Sequence, residues 1–428
     1  MSANPYNYNL PVEPNMFFGR HADVATIAER LTAVQGDSVA LIGGRRMGKT
    51  SMLEALLRAI GAADGDLVSL PLLLDLSGEG IDSASGFFQT VTEMAWESLA
   101  TLLPTPPDLP APRPSAPPAP SFRATLEGWN RSTISQCGRR LRLILLLDEC
   151  EEIVEQPWAA EVHAGLRALL VGQTTRSLLK VVMAGSHRFL TQVHQRGSPL
   201  WNVLVYHMLR VLDEAATRDL ILQPTGEALP EPVVQAVAAQ SGGHPRLAQY
   251  MMYQLWEQGL VHATPMRVAQ IAAAFPTTVN DFEDWMRGLG ELGSAVYQAL
   301  ARAPAGLGEH EIQAAVSVPL ADVLAALNAL SYHGLVVQDD ARRYRITAQM
   351  FRDWFATNQA DRSALPQAEE DEQVIALRAL IGAHQQRLNQ RRMQQAKLGY
   401  GADPLIALEI ADIERQIADL QRQLRSLS

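Results

Sequence analysis

Short apolar runs alternate with stretches of helical period through the first half of the chain. Residues 37–42, 67–76, 141–147, 178–184 and 202–211 are brief and mostly apolar, so each reads as a strand. The stretch from Gly19-Arg20 to about Val34, and residues 51–58, 83–103 and 121–140, recur with helical spacing between them. Such alternation predicts an α/β fold, a parallel sheet with right-handed crossovers. Residues 1–16 are polar with three prolines and are expected to lie extended on the surface. Residues 104–120 hold nine prolines, so a polyproline-like or disordered insertion is expected there, reaching up to about 50 Å as a spacer.

The second half changes character. Residues 213–290 are helical and alanine-rich, broken at 242–245 by Gly-Gly-His-Pro, where the proline ends one helix and starts the next. Arg246 then falls in a first helical turn, an unfavourable place for a cation, which hints at an anionic partner. Residues 291–358 read as three helices (294–303, 309–316, 320–333) and two short strands around a tight turn, the order of a winged helix. Residues 359–371 form an acidic, proline-containing linker. Residues 372–428 read as a helical hairpin around Tyr400–Pro404, with Ile406, Ile410, Ile413, Ile417, Leu420 and Leu424 in an a/d seam. So small a hairpin must dock on the body or bind a partner, and the partner reading is preferred. The domain expectation is a tail (1–16), a core (17–212), a helical lid (213–290), a winged helix (291–358) and the hairpin module.

Composition narrows the classes. With 428 residues, 47% of them apolar, the chain has material for several cores. A net charge of −10 argues against general coating of nucleic acid. Two cysteines, Cys137 and Cys150, imply neither a disulfide framework nor a metal cluster and suit a reducing cytoplasm. No signal peptide or membrane span is expected.

The chemistry concentrates in two motifs. Gly43-Gly44-Arg45-Arg46-Met47-Gly48-Lys49-Thr50 fits G-x-x-x-x-G-K-[ST] at every fixed position, between an expected strand and an expected helix that starts with Ser51. Glycines let backbone N–H groups close on a phosphate, and the helix N-terminus adds positive charge. Lys49 is expected on the β- and γ-phosphates, and the Thr50 hydroxyl on Mg²⁺. The strand 141–147 runs into Asp148-Glu149, two acids at the end of a strand that borders the ligand crevice of a parallel sheet. Asp148 is expected to hold Mg²⁺ and Glu149 to orient or deprotonate the attacking water. Ser186 and Arg188, after the fourth strand, are candidate sensors of the γ-phosphate; a simple turn is the alternative. Phe17-Phe18-Gly19-Arg20 could pack the adenine side of a nucleotide or staple the following helix.

Together these motifs resemble the archaeal-type ATPases and the related STAND signalling ATPases, with the Gly-His-Pro at 243–245 as a further shared feature. The resemblance covers about residues 16–355. It implies a P-loop, AAA+-like core with lid and winged helix, ATP or ADP with Mg²⁺, and Arg20 and Pro245 near the base and sugar, Pro245 coupling lid position to the bound nucleotide. No clear Met-His-Asp signature is found in the winged helix; His333 matches it poorly. The terminal hairpin resembles modules of bacterial conflict-system proteins, which implies a separate effector or sensor. The resulting expectation is a slow, regulatory ATPase switch in signalling or antiphage defence, working as a homo-oligomer. The alternative is a DNA-binding ATPase similar to replication initiators. It is disfavoured because Asn328 is the only residue of the third winged-helix helix suited to reading bases, although Arg342, Arg343 and Arg345 lie in the wing.

Overall fold

The strand at 140–148 is buried at every position but its first, so it needs neighbours on both edges and cover on both faces. In the computed structural model it has them. The structure describes residues 4–33, 35–61, 67–78, 80–109, 117–154, 156–194, 197–226 and 229–364. Strands β1 (Ser38–Ile42), β2 (Leu67–Asp75), β3 (Arg140–Asp148), β4 (Leu179–Gly185) and β5 (Leu204–Met208) form one sheet of spatial order β2-β3-β4-β1-β5. All its pairings are parallel. The order puts β4 between the strand of the glycine loop and the strand of the two acids. Their C-terminal ends therefore share one crevice.

Period-two alternation sorts the strand residues onto two faces. Val39, Leu41, Ile144 and Leu146 pack with Leu31 of α1 (His21–Thr32) and Leu53 and Leu56 of α2 (Lys49–Gly61). Leu143, Leu145 and Leu147 face the other way, onto α3 (Ala84–Leu102), α4 (Pro118–Cys137), α5 (Glu151–Val154), α6 (Ala159–Val171) and α7 (His187–His194). Beyond the sheet come α8 (Glu214–Leu222), α9 (Glu231–Ser241), α10 (Pro245–Glu257) and α11 (Pro265–Thr278). Then follow α12 (Asp281–Ala301), α13 (Glu309–Val316), α14 (Leu320–Tyr332), the antiparallel pair β6 (Val336–Gln338) and β7 (Tyr344–Ile346), and α15 (Gln349–Ala364). Gly290, at φ 64°, breaks α12 internally. The chain divides into two units, Met1–Trp354 and Phe355–Ser428. The expected hairpin at 372–428 lies outside the described residues.

Several local expectations are refined or corrected. The first described residues lie along the surface and are anchored there by aromatic side chains. Tyr6 is buried, its hydroxyl donates to the Ile221 carbonyl (2.9 Å), and Tyr8 sets its ring edge-on against Tyr250 and Tyr253. Burying aromatic rings outweighs the polar composition of the segment. Residues 104–109 do not project as a spacer. Trp96 Nε1 donates to the Pro107 carbonyl (2.7 Å), and Gln136 bonds both backbone groups of Thr105. α4 begins inside the proline-rich stretch because proline is tolerated in a first helical turn. It stops at Gly138, which supplies a left-handed cap, earlier than the expected 140. β5 is shorter than 202–211, since Asn202 at φ 57° turns the chain before the strand. α15 runs past 358 into the presumed linker, whose first proline comes only at Pro366.

Candidate functional site

Between β1 and α2 the chain turns through the glycine loop. Arg46 and Gly48 take left-handed backbone (φ 67° and 87°), a conformation that turns successive N–H groups toward one point. Lys49, at the start of α2, is 7% exposed. Its Nζ donates to the carbonyls of Gly43 (3.2 Å) and Gly44 (3.5 Å). Thr50 Oγ1 donates to Asp148 Oδ2 at 2.6 Å and so ties the two motifs together. Hydroxyl and carboxylate oxygens held this close are a donor pair suited to a hard cation such as Mg²⁺.

The acids are set apart from ordinary surface carboxylates. Burial raises the Asp148 pKa, opposed by the Thr50 hydroxyl, the Glu149 N–H (3.0 Å from Oδ1) and Lys49. Burial likewise raises that of Glu149; Lys49 opposes this, while Glu151 and Asp148 add to it. A carboxylate of raised pKa is a better proton acceptor near neutrality. Glu149 also sits at φ 50°, a left-handed state that costs a non-glycine residue about 1–3 kcal/mol. Glu151 Oε2 accepts the Ser186 N–H (3.0 Å) and binds the end of β4 to the acidic turn.

Lys49, Thr50, Glu149, Glu151 and Ser186 open onto a cavity of about 940 Å³, which Asp148, Gly43, Gly44 and Met47 do not line. Phe18 and Arg20 line it from the leader, and Gly48, Lys49, Thr50 and Ser51 from the loop and α2. Glu149, Ser186 and Arg188 line it from the strand ends, and Pro245 from α10. The residues of the leader divide their tasks. Phe17 is buried in the core beneath α1 and packs edge-on against His21. Gly19, at φ 75°, leaves no room for a side chain, since a Cβ would stand 2.3 Å from the Ala216 Cβ. Arg20 is buried and donates to the carbonyls of Met47 and Arg210; desolvation pulls its pKa down to about 10. Met47 is itself fully buried. Arg45 and Arg46 also border the cavity, yet their guanidiniums are engaged elsewhere. Arg45 pairs with Asp284 (3.3 Å), and Arg46 donates to the Asn9 carbonyl (2.9 Å).

Three features escaped the sequence reading. The first is the end of α14. Gly44 N–H donates to the Tyr332 carbonyl (3.1 Å), and the Tyr332 hydroxyl donates to the Gly43 carbonyl (2.7 Å). His333 follows it into the cavity wall. The second is the strap formed by residues 6–12. It reaches the phosphate loop through Arg46 and α2 through the Val12 N–H to Ser51 Oγ bond (3.1 Å). The third is Asp281, which forms a buried ion pair with Arg246 and supplies the anionic partner that the helix position hinted at. The first two had no local signal, because each joins distant parts of the chain; the third had only the unfavourable place of Arg246 in its helix.

Glycine loop, acid pair and β4 between them on a parallel sheet define a P-loop NTPase. The chain matches the family model described as Novel STAND NTPase 1 over residues 9–329 and belongs to that family. It is accordingly an ATP-hydrolysing enzyme. Among solved structures, the Walker-type ATPase PABY2304 of Pyrococcus abyssi aligns with a TM-score of 0.55 at 15% identity, covering 79% of this chain and 96% of that one. The Aeropyrum pernix ORC2 protein in its ADPNP–ADP complexes aligns at 0.48 and 12%, covering 82% and 98%. The ORC1 protein of the same organism, in complex with DNA, aligns at 0.43 and 14%, covering 82% and 96%. The Pyrococcus likeness is one of fold. No curated protein matches the chain. No single helix among the described residues is long and apolar enough to cross a membrane.

Proposed function

We propose that the chain is a nucleotide-controlled switch whose ATP or ADP state sets the position of α14 and is passed to a separate effector or sensor protein through residues 372–428. The carrying observation is the grip of α14 on the phosphate loop. The Gly44 N–H, within that loop, is bonded to the Tyr332 carbonyl. In this reading a nucleotide that reshapes the loop loosens the end of α14, so the two events are linked.

In this reading the backbone of Gly43, Gly44, Met47 and Gly48 cradles the phosphates, and Lys49 leaves its carbonyl partners for the β- and γ-oxygens. Thr50 and Asp148 hold Mg²⁺, which neutralises charge on those oxygens when bound. Glu149 takes the proton of the attacking water, and Ser186 and Arg188 meet the γ-phosphate. Phe18, Arg20 and Pro245 border the base and sugar. α8 to the first part of α12 serve as the lid, and α12 to β7 as the winged helix. Assembly into a homo-oligomer and a place in bacterial defence signalling belong to the same proposal. Binding of duplex DNA is the weaker reading: in the wing, Arg343 pairs with Glu311 and Arg345 with Asp339.

Hydrogen exchange of residues 320–346 with no nucleotide, with ADP and with a non-hydrolysable ATP tests the switch. Nucleotide binding should raise exchange at the end of α14, and ADP and the ATP analogue should differ there. Identical exchange in all three states, with binding verified by calorimetry, refutes it.

A further inference from the structure

Lys49, Glu149, Glu152 and Arg188 line the cavity, and so do the apolar Met16, Phe18, Leu212, Leu220 and Pro245. A flat, uncharged ring fits against the apolar residues, and one well-placed polar group beside them would fix its orientation. α10 supplies such a group. Gln249 lies four residues after Pro245 and therefore on the same helical face; it is 3% exposed and borders the cavity.

Its carboxamide is half used. Oε1 accepts the Asn7 backbone N–H at 3.3 Å, and because a backbone N–H can only donate, this bond settles which end of the amide is which. Nε2 is left buried with no acceptor among the described residues. Native proteins hold few such groups, because an unmatched buried donor forfeits its bonds to water.

We infer that Gln249 is a specificity-determining residue whose Nε2 donates to N1 of the adenine base. The inference rests on the nucleotide reading above. Adenine presents N1, N3 and N7 as acceptors without hydrogens, whereas guanine carries a hydrogen on N1. A site built to donate rejects a ring lacking the acceptor more strongly than an apolar slot could. Seating the base against the amide requires Asn7 and Tyr8, which cover it, to shift.

Calorimetry on the full chain with ATP and with 1-deaza-, 3-deaza- and 7-deaza-ATP, for wild type and Gln249→Leu, tests this. 1-Deaza-ATP should bind wild type roughly tenfold more weakly than ATP, with the 3-deaza and 7-deaza analogues close to ATP, and Gln249→Leu should bind ATP and 1-deaza-ATP equally. Any general loosening of the strap by the substitution acts on every ligand alike and cancels in the comparison. If each deaza analogue loses the same factor in wild type and variant, the inference is overturned while the nucleotide site stands. If wild type binds no ATP, the reading of the site falls and this inference with it.

Discussion

The Tyr332 hydroxyl donates to the Gly43 carbonyl at 2.7 Å, joining the end of α14 to a phosphate loop 289 residues earlier in the chain. The same tyrosine accepts the Gly44 N–H through its own carbonyl. One residue thus holds a side-chain and a main-chain bond to the phosphate loop.

Tyr332→Phe keeps the buried ring and removes only the hydroxyl bond, worth about 1 kcal/mol. If that bond is given up when nucleotide binds, the variant should bind ADP about fivefold more tightly than wild type. Equal affinity would mean that the bond does not oppose nucleotide binding.

Lys49→Ala should reduce ATP affinity at least about tenfold, since it removes the ammonium set beside the loop. Glu149→Gln should bind ATP normally and lose hydrolysis by a factor of about 10² or more, as expected when a proton acceptor is removed. Phosphate release and equilibrium binding, measured on the same preparations, separate the two effects.

Asp148→Asn keeps the size of the side chain and removes the charge beside Thr50. Its ATPase activity should need roughly tenfold more Mg²⁺ for half-saturation than that of wild type, and EDTA should silence both proteins. An unchanged Mg²⁺ requirement would remove Asp148 from the metal site.

Burial lowers the His163 pKa to about 4, with Nε2 unpartnered among the described residues. The folded state therefore holds the imidazole neutral while the unfolded chain protonates it near pH 6.5. The stability this neutrality preserves is intact above pH 6.5 and is lost as pH falls toward 4. The loss reaches about 2 kcal/mol at pH 5 for such a group. In urea titrations at pH 7 and pH 5, His163→Met should lose less stability than wild type by about that amount. The comparison with the variant matters because Asp148 and Glu149, with raised pKa values, act in the opposite sense.

The phosphate loop was legible because its cause is local. Gly43 to Thr50 lies between an apolar run and a helix start, and conformation at Arg46 and Gly48 follows from neighbours in sequence. The acids at 148 and 149 were legible for a related reason: a strand buried at its last position that ends in two carboxylates needs a polar purpose there. Arg45 and Arg46 show where that reasoning stopped. Both border the cavity, and their guanidiniums bond Asp284 and Asn9, from segments the motif cannot see.

From the chain alone came the alternation of strands and helices, the loop, the acid pair and the helices and strand pair near residue 350, because each depends on periodicity or on turns a few residues long. Tertiary structure decided what closes the cavity: the strap at residues 6–12, the end of α14 and the half-used amide of Gln249. Those contacts join residues from 37 to 289 positions apart, and a hydrogen bond across such a distance leaves no period or spacing in the sequence.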